Sequence, residues 1–114
     1  MLREGDMKNG LYKVTFQSSR GSGTGVIVLN DGRLLGGNAA SSFVGTYRTV
    51  ERSIIATIAT SIHTPMRGQH AVLGVADADI ALSGSITADG ARLCGSSPLA
   101  AGIKLQVALE FLAA

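Results

Sequence analysis

The chain has 114 residues, 46% of them hydrophobic and 16% charged, a balance that excludes an intrinsically disordered protein. Ten basic and eight acidic residues are spread along the chain, so no basic block indicates a nucleic-acid surface. Cys94 is the single cysteine, which excludes an internal disulfide and a site built from several thiolates. We expect one domain with one core.

Residues 1–8 are predicted to be a flexible lead-in, followed by a single domain over residues 9–114. Arg3, Glu4 and Asp6 stand where a secretory signal peptide has its apolar segment. The run 53–66, as long as any in the chain without a charge, is too short and too polar to span a bilayer. The sequence therefore predicts a cytoplasmic protein that makes no contact with membranes.

Four short strands are predicted in the first half, at 11–17, 23–29, 33–35 and 41–50. In the first of them Tyr12, Val14 and Phe16 alternate with mostly polar neighbours, which indicates a strand with one apolar face. Asp31-Gly32 lies between two apolar runs and supplies the positive φ of a hairpin turn. Gly36-Gly37-Asn38 is expected to end or bulge the third strand.

Four more strands are predicted in the second half, at 53–61, 79–87, 91–96 and 102–112. The strand 53–61 is apolar on both faces, which predicts that both faces are covered. Residues 63–76 are predicted to be a long loop, or a loop with one helical turn. Segment 102–112 has a helix-forming composition, but its apolar residues alternate strictly, so we predict a strand.

Together these elements predict an all-β fold, a small antiparallel up-and-down barrel of about eight strands of the lipocalin or calycin type. A barrel of this size has room for packed side chains or for one small ligand. Three apolar stripes are candidates for lining such a cavity, and their residues are Tyr12, Val14, Phe16, Phe43, Tyr47, Leu105, Val107 and Leu109. A solid core made of the same stripes is the alternative.

The glycine-rich run 21–25 is similar to a phosphate-binding loop, but a strand follows it where that motif requires a helix. His63 and His70 are the only histidines, and with Asp77 or Asp79 they offer ordinary metal ligands. Their spacing fits no compact ligand pattern, so we predict no metal site and no cofactor. Cys94 lies in a short strand with no nearby histidine in the sequence, and we predict no catalytic residues.

The order of motifs between Lys8 and Tyr47 resembles the GrlR family, small negative regulators of type III secretion gene expression. The motifs are Lys8-Asn9-Gly10-Leu11-Tyr12 with Phe16, Gly23-x-Gly25, Asn30-Asp31-Gly32, Gly36-Gly37-Asn38, and Phe43-x-Gly45-x-Tyr47. The match covers a little over a third of the chain. Beyond Val50 the agreement is only in the spacing of the predicted strands.

The resemblance implies a dimeric lipocalin-like barrel with an apolar interior and no enzymatic activity. It also implies regulation by protein–protein contact, in which a transcription activator is held away from DNA. The best known member uses four acidic residues on a surface loop. Here that loop reads 48–52 with one acid, Glu51, and two bases, Arg48 and Arg52, so these three are the candidates for contact with a partner.

Three functions compete on this basis: a regulator that sequesters a protein, a carrier or sensor of a small apolar molecule, and an enzyme that uses Cys94 or the histidines. The first is the main prediction, and the second is compatible with it. A homodimer is also predicted, because the strand 54–59 or the tail 111–114 would leave apolar surface exposed on a monomer.

Overall fold

The structure, a computed structural model, describes residues 7–65, 78–97 and 102–114. Eight strands account for most of these residues, and their bounds are β1 Gly10–Ser18, β2 Gly21–Asn30, β3 Arg33–Gly37, β4 Ser41–Val50, β5 Ser53–Ile62, β6 Ala78–Ile86, β7 Gly90–Ser96 and β8 Leu105–Ala113. The predicted all-β class and the number of strands are confirmed. Segment 102–112 is a strand from Leu105 onward, as its alternation predicts.

The eight strands form a closed barrel in which each is antiparallel to the next in sequence. β1 and β8 close it, with Tyr12 opposite Phe111 and Val14 opposite Leu109. Because every strand has two neighbours, the sheet has no edge strand among the described residues. This is the predicted up-and-down barrel, and it is consistent with a lipocalin-like fold.

The hairpin turns divide the barrel into two ends. At the end that we name the closed end lie the turns β2–β3, β4–β5 and β6–β7. Asp31 and Gly32 form the first of these with φ angles of 48° and 89°, the left-handed values that Asp-Gly supplies. Asn9 fastens this turn, since its side chain donates to Asp31 Oδ1 and accepts from the Asp31 N–H, both at 2.9 Å.

Side chains alternate between the interior and the outer surface along every strand. In β5, Ile54 and Ala56 are buried while Ile55 between them is 39% exposed. Both faces of this strand were predicted to be covered. Within a single chain only the inner face of β5 is covered. The outer face of β5 therefore belongs to the exposed surface of the barrel.

Candidate ligand-binding cavity

The barrel encloses a cavity of about 320 Å³. All eight strands contribute to its lining, whose residues are Val14, Phe16, Ser22, Gly23, Ile27, Leu29, Leu34, Asn38, Ser41, Phe43, Tyr47, Ile54, Ala56, Ile58, Thr60, Ile62, Ile80, Leu82, Leu93, Leu105, Val107 and Leu109. Most of these side chains are aliphatic, as in ligand pockets in general. Space of this volume lies between side chains that also form the buried core of the barrel.

Buried side chains fill the closed end below the cavity. Met7 precedes β1 and is 5% exposed, and Tyr12 is 2% exposed. The Tyr12 ring meets Phe111 edge to face at 5.4 Å between centroids, and its hydroxyl donates to the Lys8 carbonyl at 2.7 Å. The Lys8 ammonium lies over the Phe111 ring, 5.1 Å from the centroid, which favours a cation–π contact. These contacts hold residues 7 and 8 against the end of the barrel.

Hairpin register places the apolar wall of the cavity above this closed end. The Asp-Gly turn pairs Leu29 directly with Leu34, so both side chains point inward and both are almost completely buried. Across the barrel, Ile54 of β5 is buried in the same way. The lower part of the cavity is therefore lined by aliphatic side chains.

Two phenylalanine rings lie over the glycines of β2 in the upper part of the cavity. A Cβ atom on Gly23 would stand 2.6 Å from the Phe16 ring, and one on Gly25 would stand 3.1 Å from the Phe43 ring. The two rings meet edge to face with centroids 5.7 Å apart. The glycine run that is similar to a phosphate loop is thus a stretch of strand that makes room for an aromatic pair.

Polar residues line the cavity at the opposite end, which we name the polar end. Asn38 organises it: its amide nitrogen donates to the Thr24 carbonyl at 2.9 Å, and its side-chain oxygen accepts from the backbone N–H groups of Ala40 and Ser41. These bonds fix the β3–β4 connection. Ser41 and Thr60 are the residues with inward-facing hydroxyl side chains in the lining here.

Seven of the eight cavity candidates named from the sequence line this space, namely Val14, Phe16, Phe43, Tyr47, Leu105, Val107 and Leu109. Tyr12 does not, because it packs in the closed end against Phe111. Sequence reasoning missed the aliphatic lining from β2, β3, β5, β6 and β7. The Asp-Gly turn was a usable signal for two of these residues, since a two-residue hairpin loop puts Leu29 opposite Leu34.

Burial raises the pKa of Tyr12 above its ordinary value of 10.0, and the neighbouring Tyr47 raises it further. The pKa of Tyr47 is also raised, mainly by burial. Because the folded state holds both phenol protons longer than the unfolded chain, their stabilising contribution is complete below pH 10.0 and is lost as the pH rises through the folded pKa values.

We therefore expect the free energy of unfolding to fall as the pH rises above about 10. Urea unfolding at pH 8 and at pH 10.8 measures this loss. Tyr12→Phe should be less stable by about 1 kcal/mol at pH 8, because it loses one hydrogen bond. Between pH 8 and pH 10.8 the variant should also lose less free energy of unfolding than the wild type. If the variant and the wild type lose the same free energy of unfolding over this pH range, the pKa of Tyr12 is not raised in the folded state.

The partner-loop candidates Arg48, Glu51 and Arg52 lie on the β4–β5 hairpin at the closed end and are all exposed. Glu51 has a φ of 57°, so it takes the left-handed position of this turn. None of the three lines the cavity. The hairpin is therefore a surface feature separate from the interior.

The residues considered for metal binding and catalysis do not assemble in the described ranges. Cys94 is exposed on the outer face of β7, opposite Ser83 and Gln106. The exposed His63 contacts the Thr64 hydroxyl and the Asn38 carbonyl, whereas His70 and Asp77 lie outside the described residues. Within the described ranges, no group of three His, Cys, Asp or Glu side chains is placed to hold a metal ion.

Four exposed apolar side chains form a band on the outer face of β2–β4, which we name the outer strip: Val26, Val28, Leu35 and Val44. The register places Val28 opposite Leu35, and Leu35 opposite Val44, so the band crosses three strands without interruption. Exposed fractions run from 44% for Val28 to 48% for Val44. Contiguous apolar surface of this kind typically marks a contact with another molecule.

Two basic residues border the outer strip: Lys13, which lies opposite Val26, and Arg33, which lies beside Leu35 on β3. Glu110 lies opposite Lys13 on its other side. Asp79 lies opposite Ala59, which in turn lies opposite Val44. The strip is therefore bordered by charges of both signs.

No helix within residues 7–65, 78–97 and 102–114 is long and apolar enough to cross a lipid bilayer. The chain matches no model of a known protein family, and no curated protein is significantly similar to it.

Proposed function

We propose that the protein is a non-enzymatic binding protein that takes up one small apolar molecule inside its barrel, as a carrier or as a sensor. The cavity of about 320 Å³ is the observation that supports this proposal. Aliphatic side chains surround it on all sides of the barrel, and apolar cavities of this kind bind apolar molecules because they hold no partners for water. The volume lies at the lower end of the range for small-molecule pockets.

Native mass spectrometry of gently purified protein tests the proposal, before and after incubation with 1-decanol. We expect a bound apolar molecule in at least one of the two samples. Ile58→Trp, which places an indole in the cavity, should abolish this binding. Ile55→Trp on the outer face of the same strand is the matched control and should retain it. Wild-type protein that binds nothing in either sample would refute the proposal.

We propose regulation by protein contact as a second function, as the resemblance to the GrlR family implies. The outer strip is the observation that favours it, together with the exposed hairpin that carries Arg48, Glu51 and Arg52. Because Lys13 and Arg33 directly border the strip, the partner that fits it is a protein with an apolar contact surface that carries acidic side chains at these two positions. This charge preference is the reverse of the one expected for a family member with an acidic loop.

Two variants test partner binding. Leu35→Glu puts a charge at the centre of the strip, and Arg33→Glu reverses the sign of a charge at its border. With a purified candidate partner, we expect Leu35→Glu to abolish binding, and Arg33→Glu to weaken it and reduce its salt dependence. Binding unchanged by both variants would refute the proposal. A dimer in light scattering that Leu35→Glu dissociates would assign the strip to a second copy instead. The predicted homodimer stays a prediction until then.

A further inference from the structure

We propose that the ligand is a single-chain amphiphile, an unbranched apolar chain with one hydrogen-bonding head group, bound with its head at the polar end and its chain toward the closed end. This inference rests on the proposed binding function and deepens it. It follows from the distribution of polar and apolar groups along the barrel axis rather than from the cavity volume alone.

Hydroxyl groups at the polar end are placed to receive a head group. Ser41 begins β4 and lines the cavity, and its neighbour Ser42 points to the other face of the strand. The Asn38 side chain bonds to the backbone through its oxygen and one of its two N–H groups, and in this way it positions Ser41. Thr60 Oγ1 donates a weak bond to the Ala78 carbonyl at 3.4 Å and keeps its acceptor positions.

Aliphatic side chains surround the other end of the cavity. Leu29, Leu34 and Ile54 lie there with at most 2% of their surface exposed. Tyr47 also lines the cavity, and its backbone N–H donates to the Gly32 carbonyl at the turn. A polar group of a ligand buried among Leu29, Leu34 and Ile54 would lose its bonds to water without replacement, which is costly.

The volume of the cavity sets the length of the ligand's apolar chain. An apolar cavity of about 150 Å³ holds one benzene molecule, so a cavity of about twice that volume holds roughly twelve carbon atoms. The cavity measures about 320 Å³. A straight chain of about ten carbons with one head group matches this volume, which makes 1-decanol a suitable probe.

Calorimetric titration of the wild-type chain with 1-decanol and with 1,10-decanediol tests the orientation. The two probes have the same length, but the diol carries a second hydroxyl that would be buried among the aliphatic side chains. We expect the diol to bind at least about tenfold more weakly. Equal affinities would show that both ends of the chain reach polar surroundings, and would overturn the inference while the binding function stands.

One substitution at each end of the cavity tests the inferred position of the ligand's head group and of its apolar chain. Ser41→Ala should weaken 1-decanol binding roughly fivefold, whereas the matched control Ser42→Ala should leave it unchanged. Ala56→Leu fills part of the cavity, so it should weaken 1-decanol roughly tenfold and leave the shorter 1-hexanol within about twofold. A uniform loss for both alcohols would contradict the inferred position of the chain. No binding of any alcohol by wild type would refute the binding function itself.

Discussion

Replacing Gly84 by alanine should destabilise the barrel by about 3 kcal/mol or more, the upper range for overpacking. Gly84 lies in β6, with Ile54 and Leu93 directly opposite on the two neighbouring strands. A Cβ atom at this position would overlap the carbonyl oxygen of Arg92 and come within 2.7 Å of the Leu93 Cα. Because these are backbone atoms, β6 and β7 would have to move apart, and their ladder hydrogen bonds would lengthen.

Thermal unfolding measures this effect, and we expect the Tm of Gly84→Ala to fall by about 10 °C or more. Ser85→Ala is the matched control, since Ser85 is the next residue and points to the exposed face. It should change the Tm by no more than about 2 °C. Equal Tm values for the glycine variant and the control would mean that the two strands are less closely spaced than described.

Leu29→Ala should lower the free energy of unfolding by about 2–5 kcal/mol, because it removes a fully buried side chain and leaves a larger cavity. Leu29 has 0% of its surface exposed and packs between the closed end and the cavity floor. Val28→Ala is the control: it lies one residue away on the outer face, is 44% exposed, and should cost about 0.5 kcal/mol or less.

Urea unfolding of both variants gives the comparison, and ligand titration adds a second readout. Because the space vacated by Leu29 adjoins the cavity, the variant should bind 1-dodecanol in preference to 1-decanol, provided that the alcohol chain points toward the closed end. Similar losses of stability in Leu29→Ala and Val28→Ala would contradict the inward orientation of Leu29. A variant that retains the wild-type chain-length preference would contradict the inferred orientation of the ligand.

The barrel was largely predictable because its strands obey local rules. Asp31-Gly32 forms the expected hairpin turn, and the last strand follows its period-two alternation rather than its helix-forming composition. A helix over the same residues would have put Leu105 and Leu109 on one face and Val107 on the opposite face, whereas the strand buries all three. Burial of one apolar face decided the conformation here, and intrinsic propensity did not.

The cavity lining was predictable only where polar and apolar residues alternate. In β2 the run 26–29 is apolar at every position, so the sequence alone does not show that Ile27 and Leu29 face inward while Val28 faces outward. The same ambiguity produced the prediction of a doubly covered β5. Tyr12 shows a different limit, because alternation gives the face of a strand but not the depth along the barrel axis.

Closure of the barrel between β1 and β8 has a consequence for how the chain folds during synthesis. Tyr12 and Phe111 are neighbours in the finished sheet but are separated by nearly the whole domain in sequence. A nascent chain therefore carries β1 with an open edge until β8 has left the ribosome, and such non-local pairing is slow. During this interval the β1 edge is available to another nascent chain, so translation rate and chaperone supply are expected to govern the yield of the closed barrel.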